Sequence, residues 1–301
     1  SQEYRKSMDK IRADYEKFLA TGANEKSGEV YTIPIVFHVF YVDENHESNI
    51  SDAQVQSAVD GMNIQWRNMY PDGTPFDPNG SDLKIEFCLA QRDPNGNPTT
   101  GIVHVDASGV PDYSVNGCTN ANEVEMKALS TWPNTDYYNV WVVWKIDGAD
   151  PWGGGTKGYA QLGPNPAASD GTVVLFNSTG YDLDQNGNDL NQYPLFGYPD
   201  NGTMVHECGH AFSLLHTFQG LNSSPTGASC TPETNCATQG DQVCDTKQHE
   251  GDLGTCRNPG DPTCAGDVYD VLIANNFMNY CSCPSLYTQG QSDKARNMIA
   301  N

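Results

Sequence analysis

The most strongly patterned stretch of the chain is YTIPIVFHVFYV at 31–42, apolar on both parities and rich in β-branched residues. A strand buried on both faces reads this way. Ser51 and Gln54 then stand at capping-box spacing, followed by Val55, Ala58, Val59, Met62, Trp66 and Met69 on one helical stripe. That stripe predicts an amphipathic helix packed on a sheet. Apolar runs at 83–90, 139–146 and 171–176 predict further strands, separated by stretches rich in Gly, Pro, Asn and Asp. Before them, 1–29 is charge-rich, with Met8, Ile11, Tyr15, Phe18 and Leu19 at helical spacing, and predicts a helical segment outside the main core. After Gly220 the pattern breaks into short apolar pieces and turn residues, closed by one helix at about 289–300. The expected organisation is an N-terminal segment, 1–29, and one larger unit, 30–301, built from a sheet-containing lobe, 30–216, and an irregular lobe, 217–301. The fold class this implies is α+β.

Composition narrows the function. Lys and Arg number 16 against 38 Asp and Glu, a formal charge of -22, so nucleic acid is excluded as the expected partner. No run approaches the roughly 18 apolar residues of a membrane-spanning helix, and the first residues form no apolar signal core. A soluble chain whose export signal has been removed is expected. Seven of the ten cysteines crowd between 230 and 283, which points to disulfides and an oxidising, extracellular location. The absence of any C-x-x-C pair counts against a cysteine-held zinc.

The chemistry concentrates in GTMVHECGHAFSLLHTFQG at 202–220. His206 and His210 stand four apart, so a helix puts both imidazoles on one face, about 6 Å apart along the axis. Glu207 lies beside His206, where a carboxylate can take a proton from water at a metal without ligating it. His216 comes ten residues after His206. Histidine is 7 of 301 residues, so a third at a preset place has a chance of about one in 40. In an unbroken helix His216 would lie about 9 Å beyond His210, too far for one zinc with nitrogen ligands at about 2.1 Å. The helix must therefore end soon after His210 and the chain must turn back. His38, on the opening strand, reads as a satisfied core histidine.

These residues resemble the metzincin signature H-E-x-x-H-x-x-G-x-x-H, and within it the pappalysin-like (ulilysin-like) peptidases of family M43. The likeness extends to HTFQG at 216–220, GDQVCDT at 240–246, the turn NFMNY at 276–280, the closing helix, TIPIVFHVFY, IEFCLAQRDPNGNPTTGI and KGYAQLG, and so covers about 30–301. It implies a metzincin-like zinc peptidase fold: a lobe of twisted mixed sheet with backing and active-site helices, and a disulfide-rich lobe with a Met-turn and final helix. It implies His206, His210 and His216 as zinc ligands, Glu207 as general base, Met278 as a floor beneath the ligands and Tyr280 with its hydroxyl toward the metal. Ser213 stands where the family places Gly, at the expected reversal; Ser tolerates left-handed angles at a cost of about 1 to 2 kcal/mol.

The same resemblance makes Tyr159, Ala160, Gln161 and Leu162 part of an edge strand that binds extended protein or peptide substrates. It places calcium at Asp241, Asp245 and Thr246. A second calcium candidate, Asp182, Asp184 and Asn186, begins like an EF-hand loop, but Tyr193 stands where a bidentate Glu is needed. Two bridges are implied, Cys236 with Cys264 and Cys256 with Cys283; Cys208 and Cys88 read as small buried apolar side chains. Relatives that prefer a basic residue after the scissile bond read it with a carboxylate just past the Met-turn tyrosine. Here 281–285 is CSCPS, without one. The expected protein is a secreted monomeric zinc endopeptidase. Two readings compete with it: a different zinc hydrolase on the same helix, and a non-catalytic calcium-dependent binding module. Retention of Glu207 counts against the second.

Overall fold

In the computed structural model, residues 28–163, 170–181, 201–221, 230–251 and 254–300 are described. The N-terminal helix expected within 1–29 and the loop of Asp182, Asp184 and Asn186 lie outside the described residues.

Strand β1, Tyr31–Tyr41, is the spine of the sheet. On one side its first half pairs in parallel with β2, Ile85–Leu89, and its second half with β3, Ile102–Asp106; on the other side it pairs with β4, Tyr138–Val143. Beyond β4 lies β6, Thr172–Leu175, parallel to it, and then β5, Gly158–Ala160, antiparallel at the edge. The apolar parity of β1 has the expected cause. Ile35, Phe37 and Val39 face the larger core, shared with helix α1, Asp52–Trp66; Phe40 faces a second core with Trp141, Tyr113 and Met126. Strand β3 escapes the hydrophobic pattern because its five residues include exposed His104 and Asp106.

Ser51 caps α1, its hydroxyl accepting from the Gln54 N–H at 3.2 Å. The Gln54 side-chain NH₂ donates to the Phe176 and Thr179 carbonyls at 3.3 and 2.8 Å, tying the helix to the chain after β6. The helix ends at Trp66, and Asn68 adopts φ 47°, which turns Met69 out of the stripe and leaves it 40% exposed.

Short helices α2, Tyr113–Asn116, and α3, Glu123–Ala128, cover the far face of the sheet. Helix α4, Gly202–Ala211, packs on the near face beside α1. After it, among the described residues, come a short helix, α5, Val271–Ala274, and the closing helix α6, Gln289–Ala300. Helix α6 ties distant parts together: buried Arg296 donates to the carbonyls of Glu29 and Lys84, and buried Lys294 to that of Asp241 at 2.7 Å.

Three disulfides hold the C-terminal part: Cys230–Cys264, Cys236–Cys244 and Cys256–Cys283. The expected pairing of Cys236 with Cys264 is thus replaced. A tight turn bonded between Asn235 and Gln239 brings Cys236 and Cys244 to a Cα separation of 5.0 Å, while the Cys230 N–H bonds the Cys264 carbonyl at 3.1 Å and carries Cys230 into bridging range. Cys208 is buried as expected, but Cys88 is exposed, because it points away from the core on the outer strand β2.

His38 is fully buried. The Asn139 side-chain oxygen accepts from the Trp132 N–H, so it is an acceptor, and the His38 Nε2 3.0 Å away must carry the proton; Nδ1 then accepts from the Ser130 hydroxyl at 2.7 Å. Burial lowers the pKa of this imidazole from 6.5 to about 4. Below pH 6.5 the unfolded chain takes up a proton that the folded chain refuses until about pH 4, so this contribution is complete above 6.5 and is lost as pH falls. We predict that acidification to about pH 5 removes about 2 kcal/mol through His38 alone. Urea unfolding of the wild type and His38→Leu, near neutrality and at that lower pH, checks this: the variant's stability should depend less on acid.

Candidate metal centre

Helix α4 opens on Asn201, at φ 67°, whose amide donates to the Ala58 carbonyl of α1 at 2.8 Å. The four-residue spacing then stacks His206 and His210, their ring centroids 4.7 Å apart. The end of the helix decides the site. Ser213 adopts φ 69°. The Leu214 N–H bonds the Gly209 carbonyl and the Ser213 N–H the His210 carbonyl, each at 2.9 Å. This is the Schellman end of a helix, with Ser in the left-handed position that Gly normally fills. The Ser213 hydroxyl donates to the Gly163 carbonyl at 2.7 Å inside the protein, an interaction Gly could not make. The reversal brings His216 back, its Nε2 lying 3.2 Å from that of His206 and 3.1 Å from that of His210.

Each of the first two rings is oriented from behind. His206 Nδ1 lies 2.6 Å from the Phe277 carbonyl and His210 Nδ1 2.8 Å from the Leu214 carbonyl. A carbonyl only accepts, so both rings carry their proton on Nδ1 and present a bare Nε2 to the centre. His216 is steadied differently, stacked on Phe218 with centroids 4.8 Å apart. Burial holds all three imidazoles neutral: His206 well below its usual range, His210 at about 4 and His216 at about 3, the neighbouring rings adding to the effect at His206 and His216.

A tetrahedral ion with nitrogen ligands at about 2.0–2.1 Å spaces those nitrogens about 3.3–3.4 Å apart, close to the separations here. Neutral, convergent imidazoles, two of them hydrogen-bonded outward through Nδ1, are a donor set zinc takes, so these residues fit the ion. Among the described residues no other group of three or more His, Cys, Asp or Glu side chains converges in this way.

Beneath the rings, Met278 is fully buried. A Cβ on Gly209 would come within 2.4 Å of its sulfur, so only Gly lets α4 rest on this turn. The turn also receives the next arm, since the Thr217 N–H donates to the Met278 carbonyl at 3.2 Å. Glu207 is buried beside the imidazoles, and the Ala160 N–H of edge strand β5 bonds its carboxyl. Burial, opposed by that bond, pushes Glu207 up to about 8. Tyr280 packs near His216 and His206, ring centroids 4.7 and 5.6 Å away; its pKa is raised by burial and by the Glu207 charge.

Other expected site residues are placed differently. Tyr159 turns its ring into the far core, its hydroxyl 3.3 Å from the Cys118 sulfur, whereas Ala160 faces the near core. Strand β5 therefore offers its backbone edge, not the Tyr159 side chain. Gln161 and Leu162 follow it, half-buried. Asp241 and Asp245 hold separate sets of protein donors. Asp241 accepts from the Val243 N–H and the Thr246 hydroxyl, and Asp245 from the Thr288 hydroxyl and Gly290 N–H at the start of α6, so all four carboxylate oxygens have protein donors.

Several residues of the centre carry no signal in the motif. The carbonyls of Phe277 and Leu214 are invisible in side-chain patterns. His249, buried with Nε2 2.8 Å from the Thr217 hydroxyl, braces the residue after His216; as an isolated histidine it matched no spacing.

Comparison with known proteins agrees with this geometry. The sequence profile of the peptidase M43 family, described as pregnancy-associated plasma protein-A, matches residues 119–300. The chain belongs to this family, and its fold is of the metzincin type. An extracellular metalloprotease of Aspergillus fumigatus is 32% identical over 107 residues, 35% of this chain and 29% of that protein. Extracellular metalloprotease 1 of Coccidioides posadasii is 29% identical over 147 residues, 48% of this chain and 45% of that protein. The matched region thus spans less than half of these curated relatives. Among solved structures, mature mirolysin of Tannerella forsythia in complex with a cleaved peptide superposes with TM-score 0.66 at 27% identity, covering 89% of this chain and 91% of that one.

The Ser213 turn yields a prediction. Ser213→Ala keeps the left-handed strain and loses the buried bond to Gly163, and should cost about 2 kcal/mol. Ser213→Gly relieves the strain while losing the bond, and should stay within about 1 kcal/mol of wild type. Denaturant midpoints of the two variants check this order.

Proposed function

We propose that this chain is a secreted zinc-dependent endopeptidase that hydrolyses peptide bonds of extracellular proteins. The observation that carries the reading is the convergence of three neutral imidazole Nε2 atoms at 3.1 and 3.2 Å, with buried Glu207 alongside. His206, His210 and His216 would hold the ion. Zinc bound there supplies Lewis-acid polarisation of the scissile carbonyl and acidifies the attacking water.

The chain's own groups do the rest. Glu207, oriented by the Ala160 N–H, accepts the proton of the attacking water and returns it to the departing amine. Beside a bound dication the Glu207 carboxyl, raised by burial, would be ionised and able to serve as the base. The Tyr280 hydroxyl donates to the oxygen that gains charge. Among the described residues the outer side of β5 has no strand partner in the sheet, and an extended peptide laid there bonds main chain to main chain, leaving side-chain selection to other contacts. In this reading 30–216 and 217–301 are the two lobes on either side of the substrate.

Extracellular location is supported by the names of the fungal relatives and by three disulfides. No helix among the described residues is long and apolar enough to cross a membrane. Calcium at Asp241, Asp245 and Thr246 stays part of the proposal, since each carboxylate oxygen that accepts a protein donor has a second lone pair to offer a hard cation.

The test combines metal analysis with casein cleavage. Wild type and Glu207→Ala should each hold one zinc per chain, and the variant should cleave about 10²–10⁴-fold more slowly. Equal cleavage by both would refute Glu207 as the base; a folded wild type without zinc would refute the metal assignment.

A further inference from the structure

We infer that Gln291, in the first turn of α6, is a positioning residue for the metal centre, acting through Asn276 on the peptide that orients His206. The inference rests on the zinc reading for its effect on metal affinity, while its effect on the His206 proton stands on the protein alone.

The sequence TQGQ at 288–291 makes a capping box at the start of α6. The Thr288 hydroxyl accepts from the Gln291 N–H at 3.2 Å, and Gln291 Oε1 accepts from the Thr288 N–H at 2.9 Å. This second bond fixes which end of the Gln291 amide is oxygen. Asn276 is pinned in the same way by backbone: its Oδ1 accepts from the Met278 N–H and its Nδ2 donates to the Leu272 carbonyl, each at 2.9 Å. With both amides fixed, their mutual contacts have one arrangement. Asn276 Nδ2 donates to Gln291 Oε1 and Gln291 Nε2 donates to Asn276 Oδ1, both at 2.9 Å. Both side chains are fully buried, so neither amide can exchange its partner for bulk water.

The bond from the Met278 N–H matters because that N–H shares a peptide unit with the Phe277 carbonyl. The unit is planar and stiff. One edge is held by Asn276 Oδ1 and the other accepts the His206 Nδ1 proton at 2.6 Å. Gln291 donates to the same Asn276 oxygen and so sets where that plane lies. The path runs from the cap of the last helix through one amide and one peptide to the first imidazole. His210 is independent of it, since its Nδ1 is held by the Leu214 carbonyl in the Ser213 turn. That independence supplies an internal control.

Gln291→Glu keeps the size and the capping-box acceptor but removes the donor to Asn276. Gln291→Met removes both amide bonds without adding charge. Imidazole ¹⁵N spectra of the metal-free protein report the tautomer of each histidine, and competition against a chromophoric chelator gives zinc affinity. Both variants should keep the His210 tautomer and lose the fixed Nδ1–H of His206, with the zinc dissociation constant rising about tenfold. Ile299→Ala, elsewhere on α6, should lower the melting temperature without moving either reading. Unchanged His206 tautomer and zinc affinity in the folded variants would overturn the inference, as would equal loss at His206 and His210. Collapse of both variants would also count against it, making Gln291 a residue of folding first. If the wild type holds no zinc, the proposed function fails, yet the tautomer comparison still decides the role of Gln291.

Discussion

The metal centre depends on one backbone event, the left-handed turn at Ser213. Without it His216 continues along the helix axis and the third ring is lost. With it, the same turn produces two further contacts, because the reversal that returns His216 also aims the Leu214 carbonyl at His210. The strain of a non-glycine residue at φ 69° is offset by the hydroxyl bond to Gly163. Gly163 lies three residues beyond edge strand β5, so the bond that steadies the turn also ties it to the chain that would flank a substrate. Ligand geometry and sheet edge are in this sense one construction.

Electrostatics gives the second constraint. Three imidazoles and a carboxyl are packed where water is largely excluded, and burial drives each toward its neutral form. The bare Nε2 atoms of His206 and His210 both face the His216 Nε2 at hydrogen-bond distance, and a cation among them would satisfy all three at once, so under the proposed function folding and metal binding reinforce each other. Backbone carbonyls behind two rings decide which nitrogen is bare, and that choice comes from chain segments far apart in sequence. Phe277 lies 71 positions from His206. Glu207 is likewise governed at a distance, by a single N–H from the edge strand.

The opening strand was legible because it is a long unbroken apolar, β-branched run, and the α1 stripe because it carries a helical period over more than ten residues. The His-Glu-x-x-His spacing was legible for the same reason, since helical geometry maps four residues onto one face. Short strand β3 was not, because five residues with two polar exposed positions carry too little pattern. The bridge between Cys236 and Cys244 was hidden because loop geometry chooses between nearby cysteines, and loops carry no period. Asp245, a calcium candidate by motif, also accepts from the Gly290 N–H in the first turn of α6, a contact the motif does not show. A carboxylate at such a position is satisfied equally well by backbone N–H groups.

By itself the sequence determined which residues could meet a metal, that the chain had to reverse between His210 and His216, and that the sheet has a strand buried on both faces. These conclusions come from local periodicity and from the chemistry of side-chain types. Only the tertiary structure decided how the reversal is offset at Ser213, which carbonyls fix the imidazole protons, how the Met278 turn is clasped to the last helix, and that Tyr159 faces the interior. Those outcomes rest on main-chain atoms and buried amides brought together from distant segments, and main-chain atoms are the same at every position of the sequence.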